Sequence, residues 1–295
     1  MVFSKWKNYN RREALEAVIM GIFALSKKIL KGLINSTTRV LLDDISTLHQ
    51  PFLGYDYLKK VYLIARNMGV MNFDWRATKT HIKNYSTFTS VVSETQTMVE
   101  EGHLGGYVYE GARGTYNPLL WRSLIELLNI QSVLDIGCGR GFSLSFFAKE
   151  VPFVVGTEGA IKALETSLIP EKSIQHDYTE GASTLSGKFD LIWCCEVVEH
   201  IEEQYVSNLI KEFKKSQFLA MTYAIPGQGG YHHVNEQFGM YWIRLLSKNG
   251  FHFCKTETKL FRKIAILDEL KNNHYNHFAH KGLFFINKAF NRRYS

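Results

Sequence analysis

The most distinctive stretch of the sequence is a run of alternating glycines behind a short apolar segment. Residues 133–136 lead into Gly137, Gly139 and Gly141, and an amphipathic segment over residues 142–151 comes directly after. This order predicts a strand, a tight turn and a helix. Glycine is needed where the backbone takes a positive φ or lets a ligand approach closely, and amides at a helix N-terminus suit an electronegative group. The stretch therefore predicts a turn that binds a nucleotide-like ligand.

Four carboxylates stand at the carboxyl ends of segments that read as strands. They are Asp135, Glu158, Asp177 and Glu196. In a doubly wound sheet these strand ends meet along one edge, where ligands bind. One such acid taken alone is commonly a helix N-cap, but four in succession indicate a shared, acidic binding site.

The elements that must position these groups alternate regularly. Strands are predicted at residues 132–136, 153–157, 173–176, 189–195 and 217–223, with helices at 119–128, 142–151, 160–168, 202–215 and 236–248. Two more strands are predicted at 251–254 and 282–286. Strands that alternate with helices in this way predict an α/β fold with a doubly wound, seven-stranded and mostly parallel sheet.

Two further segments carry a family resemblance. Residues 189–201 read Phe-Asp-Leu-Ile-Trp-Cys-Cys-Glu-Val-Val-Glu-His-Ile, and residues 226–235 read Pro-Gly-Gln-Gly-Gly-Tyr-His-His-Val-Asn, followed by Tyr-Trp-Ile at 241–243. With Asp135 before the glycines, residues from about 105 to 290 resemble class I S-adenosylmethionine (SAM)-dependent methyltransferases of the small-molecule type. The second segment is similar to viral and bacterial methyltransferase domains associated with glycan modification. The resemblance implies a Rossmann-like fold, SAM as cofactor and methyl transfer.

SAM as the ligand gives each acid a function. Asp135 would steady the glycine turn and face the amino-acid end, and Glu158 would accept hydrogen bonds from the ribose hydroxyls. Asp177 would accept from the adenine amine, with Tyr178 beside the ring, and Glu196 would lie near the reactive methyl group. A cationic sulfonium suits an acidic surrounding. The predicted cofactor-binding residues are Asp135, Gly137, Cys138, Gly139, Gly141, Glu158, Gly159, Asp177, Tyr178 and Glu196.

Other nucleotide-binding classes lack their signatures here. The G-x-x-x-x-G-K-[ST] motif of P-loop NTPases is absent. The last glycine of the dinucleotide pattern G-x-G-x-x-G would fall on Phe142. Enzymes that methylate amino groups of nucleic acids resemble one another in an Asn/Asp-Pro-Pro-aromatic turn after strand four, where this chain has residues 195–200.

Methyl transfer to a hydroxyl needs alignment of the reactants and removal of a proton, and histidine is the natural base near neutral pH. His232 and His233 lie on the loop after the fifth strand, and His200 follows the fourth. These three are the predicted catalytic residues, although His200 also fits a helix-capping role. No acid cluster shows clear ligand spacing, so no metal site is predicted.

The acceptor is expected to be a small molecule or glycan, bound by a Gly- and Tyr-rich loop over residues 103–121 and by the histidine loop. Such loops combine a flexible backbone with flat side chains and hydroxyls. The alternative is a plain connector. The predicted acceptor-binding residues are Tyr107, Arg113, Tyr116, Tyr231 and Asn235.

Charge divides the chain into unequal parts. The formal charge is +6 over residues 1–100, −5 over 101–254 and +6 over 255–295. We assign residues 1–102 to a helical, basic N-terminal extension and 103–295 to the methyltransferase domain. A basic flank fits an anionic partner or membrane surface or simply a solvated face, and a helix over residues 13–34 is expected to pack on the domain. The four cysteines form no metal or redox motif, which fits a cytoplasmic protein.

Three functions remain open from the sequence. The leading one is a SAM-dependent O-methyltransferase acting on a sugar or glycan hydroxyl. The basic flanks also fit an RNA methyltransferase, whose binding would weaken steeply with salt. The third is a SAM-binding subunit without catalysis.

Overall fold

A computed structural model of the chain describes residues 97–98, 102–104, 106–109 and 111–290. The predicted extension over residues 1–102, with its helices at 13–34 and 55–67, lies almost entirely outside the described residues. The domain assignment that rests on it stays a prediction.

Strands and helices alternate through the described residues as the sequence predicts. Two short strands, β1 and β2, form an antiparallel pair, and seven others form the main sheet. The strands are β1 Thr97–Met98, β2 Tyr107–Val108, β3 Ser132–Ile136, β4 Phe153–Glu158, β5 Ser173–Gln175, β6 Phe189–Cys194, β7 Ser216–Met221, β8 Phe251–Phe253 and β9 Leu283–Asn287. The α-helices in this part of the chain are α1 Pro118–Leu128, α2 Phe142–Glu150, α3 Ile161–Glu165, α4 Val206–Phe213, α5 Gly239–Lys248, α6 Lys255–Asn272 and α7 His277–Lys281.

The main sheet has the strand order β5-β4-β3-β6-β7-β9-β8. β9 runs antiparallel to both of its neighbours, and the other pairings are parallel. The predicted α/β class and the seven-stranded, mostly parallel sheet are confirmed. The strand order reverses between β3 and β6, and this switch point is where ligands bind in open α/β sheets.

Helices cover both faces of the sheet, and each face has its own apolar core. α1, α2 and α6 pack on the side that Val133 faces, where Trp121, Phe147 and Phe261 are buried. α4 and α5 pack on the side that Leu134 faces. Successive side chains of a strand point to opposite faces. The apolar residues of β3 therefore pack into both cores, and this packing holds in place the glycine turn that follows the strand.

Helix α6 is the largest element that the sequence analysis missed. It buries Phe261, Ile264 and Ala265, but also the acidic side chains of Asp268 and Glu269. These acids interrupt the apolar stripe that would signal an amphipathic helix. They are tolerated because both accept hydrogen bonds from backbone amides. Helix α3 is also shorter than the predicted 160–168.

None of the helices in the described part of the chain combines the length and apolar character that crossing a bilayer requires. The four cysteines are buried and free of disulfides.

Candidate functional site

A cavity of about 860 Å³ lies at the carboxyl ends of β3, β4 and β6. Three segments close around it: the glycine turn after β3, the loop that precedes α1, and the first residue of α7. The Gly- and Tyr-rich loop predicted to face the site does so. Among the predicted residues, Asp135, Gly137, Cys138, Gly139, Glu158, Gly159, Asp177, Tyr178, Glu196, His200, His233, Tyr107, Arg113, Tyr116 and Tyr231 line the cavity.

The glycine turn has the shape that the sequence predicts. Gly137 and Gly139 adopt φ of 67° and 54°, a left-handed conformation that disfavours other residues. The amides of Gly137 and Cys138 both donate to the carbonyl of Thr157, at 2.8 and 3.0 Å. A Cβ on Gly137 would meet Val197 Cγ2 at 2.3 Å, whereas a Cβ on Gly139 would point into open space. The turn is therefore tight at its base and open toward the cavity at Gly139.

Asp135 and Glu158 place two acids beside this turn. Asp135 is 1% exposed and accepts a hydrogen bond from Ser143 Oγ at 2.5 Å. Burial is the main cause that raises the pKa of Asp135 to about 7; the Ser143 hydrogen bond opposes this rise, and the nearby charge of Glu158 adds to it. Glu158 accepts from the amides of Gly139 and Ala160 at 2.7 and 3.0 Å. Burial raises the pKa of Glu158 as well, against those amides, so the pocket electrostatically favours a cation.

Asp177 and Tyr178 follow β5 on the next wall. Asp177 Oδ2 lies 2.8 Å from His103 Nε2, and the Thr179 amide donates to Asp177 Oδ1 at 2.8 Å. Partial burial acts to raise the pKa of Asp177, but these two partners outweigh it and hold the pKa below its usual value. The Tyr178 hydroxyl lies 3.0 Å from Thr157 Oγ1. His103 thus ties the loop before α1 to the acid at the end of β5.

Glu196 pairs with His277 at the end of β6. Its Oε2 lies 2.8 Å from His277 Nδ1, and Thr222 Oγ1 donates to Oε1 at 2.8 Å. Burial acts to raise the pKa of Glu196, but the hydrogen bond and charge of His277 outweigh it and hold the pKa at about 2. His277 lines the cavity and was not found from the sequence, where the only signal was a histidine directly after Asn276, the N-cap of α7.

A cluster of possible metal ligands lies near Glu196 and consists of Glu199, His200 and His233. One ligand atom from each side chain lies within 4.8 Å of the others. Burial lowers the pKa of His200 to about 4, with a further contribution from His233, so its imidazole is neutral. Glu199 is fully buried, and the sequence analysis missed it. The spacing Glu196, Glu199, His200 places three ligand-type side chains within five residues, a signal that could have found it.

Three predicted residues lie outside the cavity wall. Gly141 is the N-cap of α2, and a Cβ there would face Ile169 and Ser167. Asn235 is 3% exposed and donates to the Ile201 carbonyl at 3.0 Å, so it anchors the histidine loop instead of facing a ligand. His232 adopts a φ of 49°, and its Nε2 is buried without a hydrogen-bond partner.

Comparisons with known proteins find similarity to methyltransferases. Residues 133–216 match the family model of a methyltransferase domain. Ubiquinone biosynthesis O-methyltransferases of Escherichia coli strains are 29% identical over 105 residues, covering 33% of this chain and 38% of theirs. The chain thus spans less than half the length of these curated relatives.

Solved structures are similar only at low identity. A SAM-dependent methyltransferase from Archaeoglobus fulgidus has a TM-score of 0.42 and 17% identity, covering 60% of this chain and 95% of that one. Magnesium protoporphyrin IX methyltransferase from Synechocystis PCC 6803, solved with bound SAH, has a TM-score of 0.35 and 18% identity, covering 46% of this chain and 70% of that one.

Proposed function

Because residues 133–216 match the family model of a methyltransferase domain, we propose that the chain is a class I enzyme that transfers a methyl group from SAM to a hydroxyl of a sugar or glycan. The observation that carries the proposal is the cavity itself. Asp135, Glu158, Asp177 and Glu196, from four different strand ends, all line it together with the open glycine turn.

The residues present fit SAM. SAM supplies a methyl group on a positively charged sulfur. Asp135 and Glu158 are buried acids on whose pKa no cationic side chain of the described residues acts, and a cationic ligand would lower the cost of ionising them. The open space over Gly139 leaves room for a ligand against the backbone. We assign Glu158 to the ribose hydroxyls and Asp177 to the adenine amine, since both line the cavity.

His277 is the histidine best placed to take the acceptor proton. Its Nδ1 faces the Glu196 carboxylate at 2.8 Å, which fixes the orientation of the ring. The His277 ring also packs closely against Gly114: a Cβ atom added to Gly114 would lie only 2.5 Å from His277 Cδ2. His277 therefore joins His200 and His233 as a candidate base, whereas His232 lies away from the cavity wall.

A hydroxyl acceptor is supported by the cavity wall and by the relatives. Tyr107, Tyr116 and Tyr231 line the cavity with Arg113, and aromatic faces with polar edges suit a sugar ring. The curated relatives are named as O-methyltransferases. We place the acceptor against this tyrosine wall, opposite the acids at the strand ends.

Calorimetric titration with SAM tests the cofactor assignment. We expect the full chain to bind SAM with one site, and Glu158→Ala to weaken binding by about tenfold or more, since a lost hydrogen bond to a charged group costs roughly 1.5–3 kcal/mol. Glu165→Ala, at an exposed glutamate on α3, is the matched control and should bind like the wild type. Absence of SAM binding would overturn the proposed function.

Turnover is then measured as release of S-adenosylhomocysteine with a panel of glycans, phenols and RNA oligomers. We expect turnover with glycans, and a large loss in His277→Ala with unchanged SAM affinity. His280→Ala, on the same helix but paired with Glu269, should retain turnover. If the chain methylates only RNA, with binding that weakens steeply as salt rises, the acceptor is RNA and not a glycan. If it binds SAM but shows no turnover, the result favours a non-catalytic subunit.

A further inference from the structure

Glu199 carries an acidic side chain that is fully buried. The residue is 0% exposed, and neither Oε1 nor Oε2 has a hydrogen-bond partner. Burying an unpaired carboxylate is costly, and buried polar groups without partners are rare. The side chain therefore requires either a proton or a cation that the protein itself does not supply.

The neighbouring charges do not meet this requirement. Glu196 lies beside Glu199 and repels it, and its own charge is already paired with His277. The charge of Lys281 acts on both acids, but its Nζ donates to Gln228 Oε1, and neither oxygen of Glu199 accepts a hydrogen bond from it. Two adjacent carboxylates are stable only with a shared proton or a bound cation between them.

Two histidines complete a set of ligands around Glu199. His200 Nδ1 is buried without a partner, and the His200 and His233 rings stand nearly perpendicular with centroids 5.1 Å apart. His233 Nδ1 lies 3.1 Å from Glu236 Oε1, and Glu236 also accepts from two loop amides. A carboxylate behind an imidazole is the usual support of a metal-binding histidine, because it fixes the ring and its tautomer.

The backbone holds these side chains in one place. The amides of Val234 and Asn235 donate to the Glu199 carbonyl at 2.9 and 3.0 Å, and Asn235 Nδ2 donates to the Ile201 carbonyl. The histidine loop is thereby docked on the turn that carries Glu199 and His200. The residues that form the cluster are fixed before any ligand arrives.

We propose that Glu199, His200 and His233 bind one divalent transition-metal ion at the edge of the cavity. Two imidazoles and one carboxylate suit Mn²⁺ or Zn²⁺, whereas Mg²⁺ and Ca²⁺ prefer oxygen ligands. Three protein ligands leave a coordination position open, and His200 and His233 line the cavity. An ion held there would be able to lower the pKa of an acceptor hydroxyl bound in the cavity; this role rests on the proposed function, whereas metal binding does not.

The test is calorimetric titration of the chelator-treated full chain with MnCl₂, ZnCl₂ and MgCl₂, with and without SAM. We expect one site for Mn²⁺ or Zn²⁺ and much weaker binding of Mg²⁺. Glu199→Gln and His233→Ala should each weaken binding by about tenfold or more, and His280→Ala is the matched control. Binding that both variants keep at wild-type affinity would overturn the proposal, as would no binding of any ion, which would assign a proton to Glu199.

Spectroscopy on the wild type keeps the test independent of how the variants fold. Pulsed electron paramagnetic resonance of the Mn²⁺-loaded chain should show ¹⁴N modulation from imidazole, and its absence with bound Mn²⁺ would contradict the assignment. SAM titration of the same metal-free sample separates the two proposals. A chain that binds SAM but no metal refutes only this inference, and a chain that binds metal but no SAM refutes only the proposed function.

Discussion

Gly139 shows how one residue links backbone shape to ligand binding. Its φ is 54°, and a Cβ there would meet no atom within 4 Å. A side chain at this position would therefore enter the cavity and not the core. A side chain here would clash with no other part of the fold, but it would remove space that a ligand would use.

We expect Gly139→Ala to weaken SAM binding by about tenfold or more, while the left-handed backbone costs roughly 1–2 kcal/mol of stability. Gly250→Ala is the matched control. Gly250 also has a positive φ and open space around its Cβ, and it lies outside the cavity. Calorimetry gives the affinity and urea unfolding the stability. Equal SAM affinity in both variants and the wild type would contradict this account of the turn.

Single residues were predictable from sequence where the chemistry is local. The glycine turn and the acids that end β3, β4 and β6 follow directly from strand boundaries, and the structure brings them to one cavity. His277 was not predictable, because its contact with Glu196 joins positions 81 residues apart through packing of α7. Glu199 was overlooked because a fully buried, unpaired carboxylate is visible only in three dimensions.

At the scale of elements, the strands were predictable from the sequence but helix α6 was not. The sequence pattern predicts the seven strands of the main sheet to within one or two residues, because a buried parallel strand is an apolar run between turns, but it missed the short strands β1 and β2. The pattern failed for Lys255–Asn272, whose buried face includes acids. One of these acids, Asp268, caps the N-terminus of helix α1. It accepts hydrogen bonds from the amides of Leu119 and Leu120 at 3.2 and 3.1 Å. Negative charge is stabilising at a helix N-terminus.

Asp268 should make stability depend on pH. Burial raises its pKa from 3.8 to about 7, against the two amides. Between these values the folded chain holds a proton that the unfolded chain has lost, so the free energy of unfolding falls as pH rises. Asn cannot titrate, and its amide oxygen replaces only one of the two acceptors. We therefore expect Asp268→Asn to be less stable than the wild type at pH 5.

The stability gap between wild type and Asp268→Asn should then narrow by roughly 1–2 kcal/mol between pH 5 and 7.5. Urea unfolding of both proteins at each pH measures it, and titration of all other groups cancels in the difference. A gap that stays constant, or widens as pH rises, would show that Asp268 is ionised in the folded state throughout.

At the scale of the whole molecule, the charge distribution and the cavity match each other. Residues 101–254 carry the net charge of −5 and supply the acids of the site, which suits a cationic cofactor. The basic stretches lie to either side in sequence. The cavity wall in the described residues begins at His103 and ends at His277, so its acids and its glycine turn belong to the domain alone.

A chain that starts at residue 97 tests whether the domain holds its cofactor unaided. We expect it to bind SAM with the affinity of the full chain, because each residue that lines the described cavity wall lies between His103 and His277. Removing residues 1–96, whose formal charge is +7, should instead abolish salt-sensitive binding to vesicles containing anionic lipid, measured by co-sedimentation at two salt concentrations. Loss of SAM affinity in a chain that still unfolds cooperatively would contradict the assignment, since it would place part of the cofactor site in the extension.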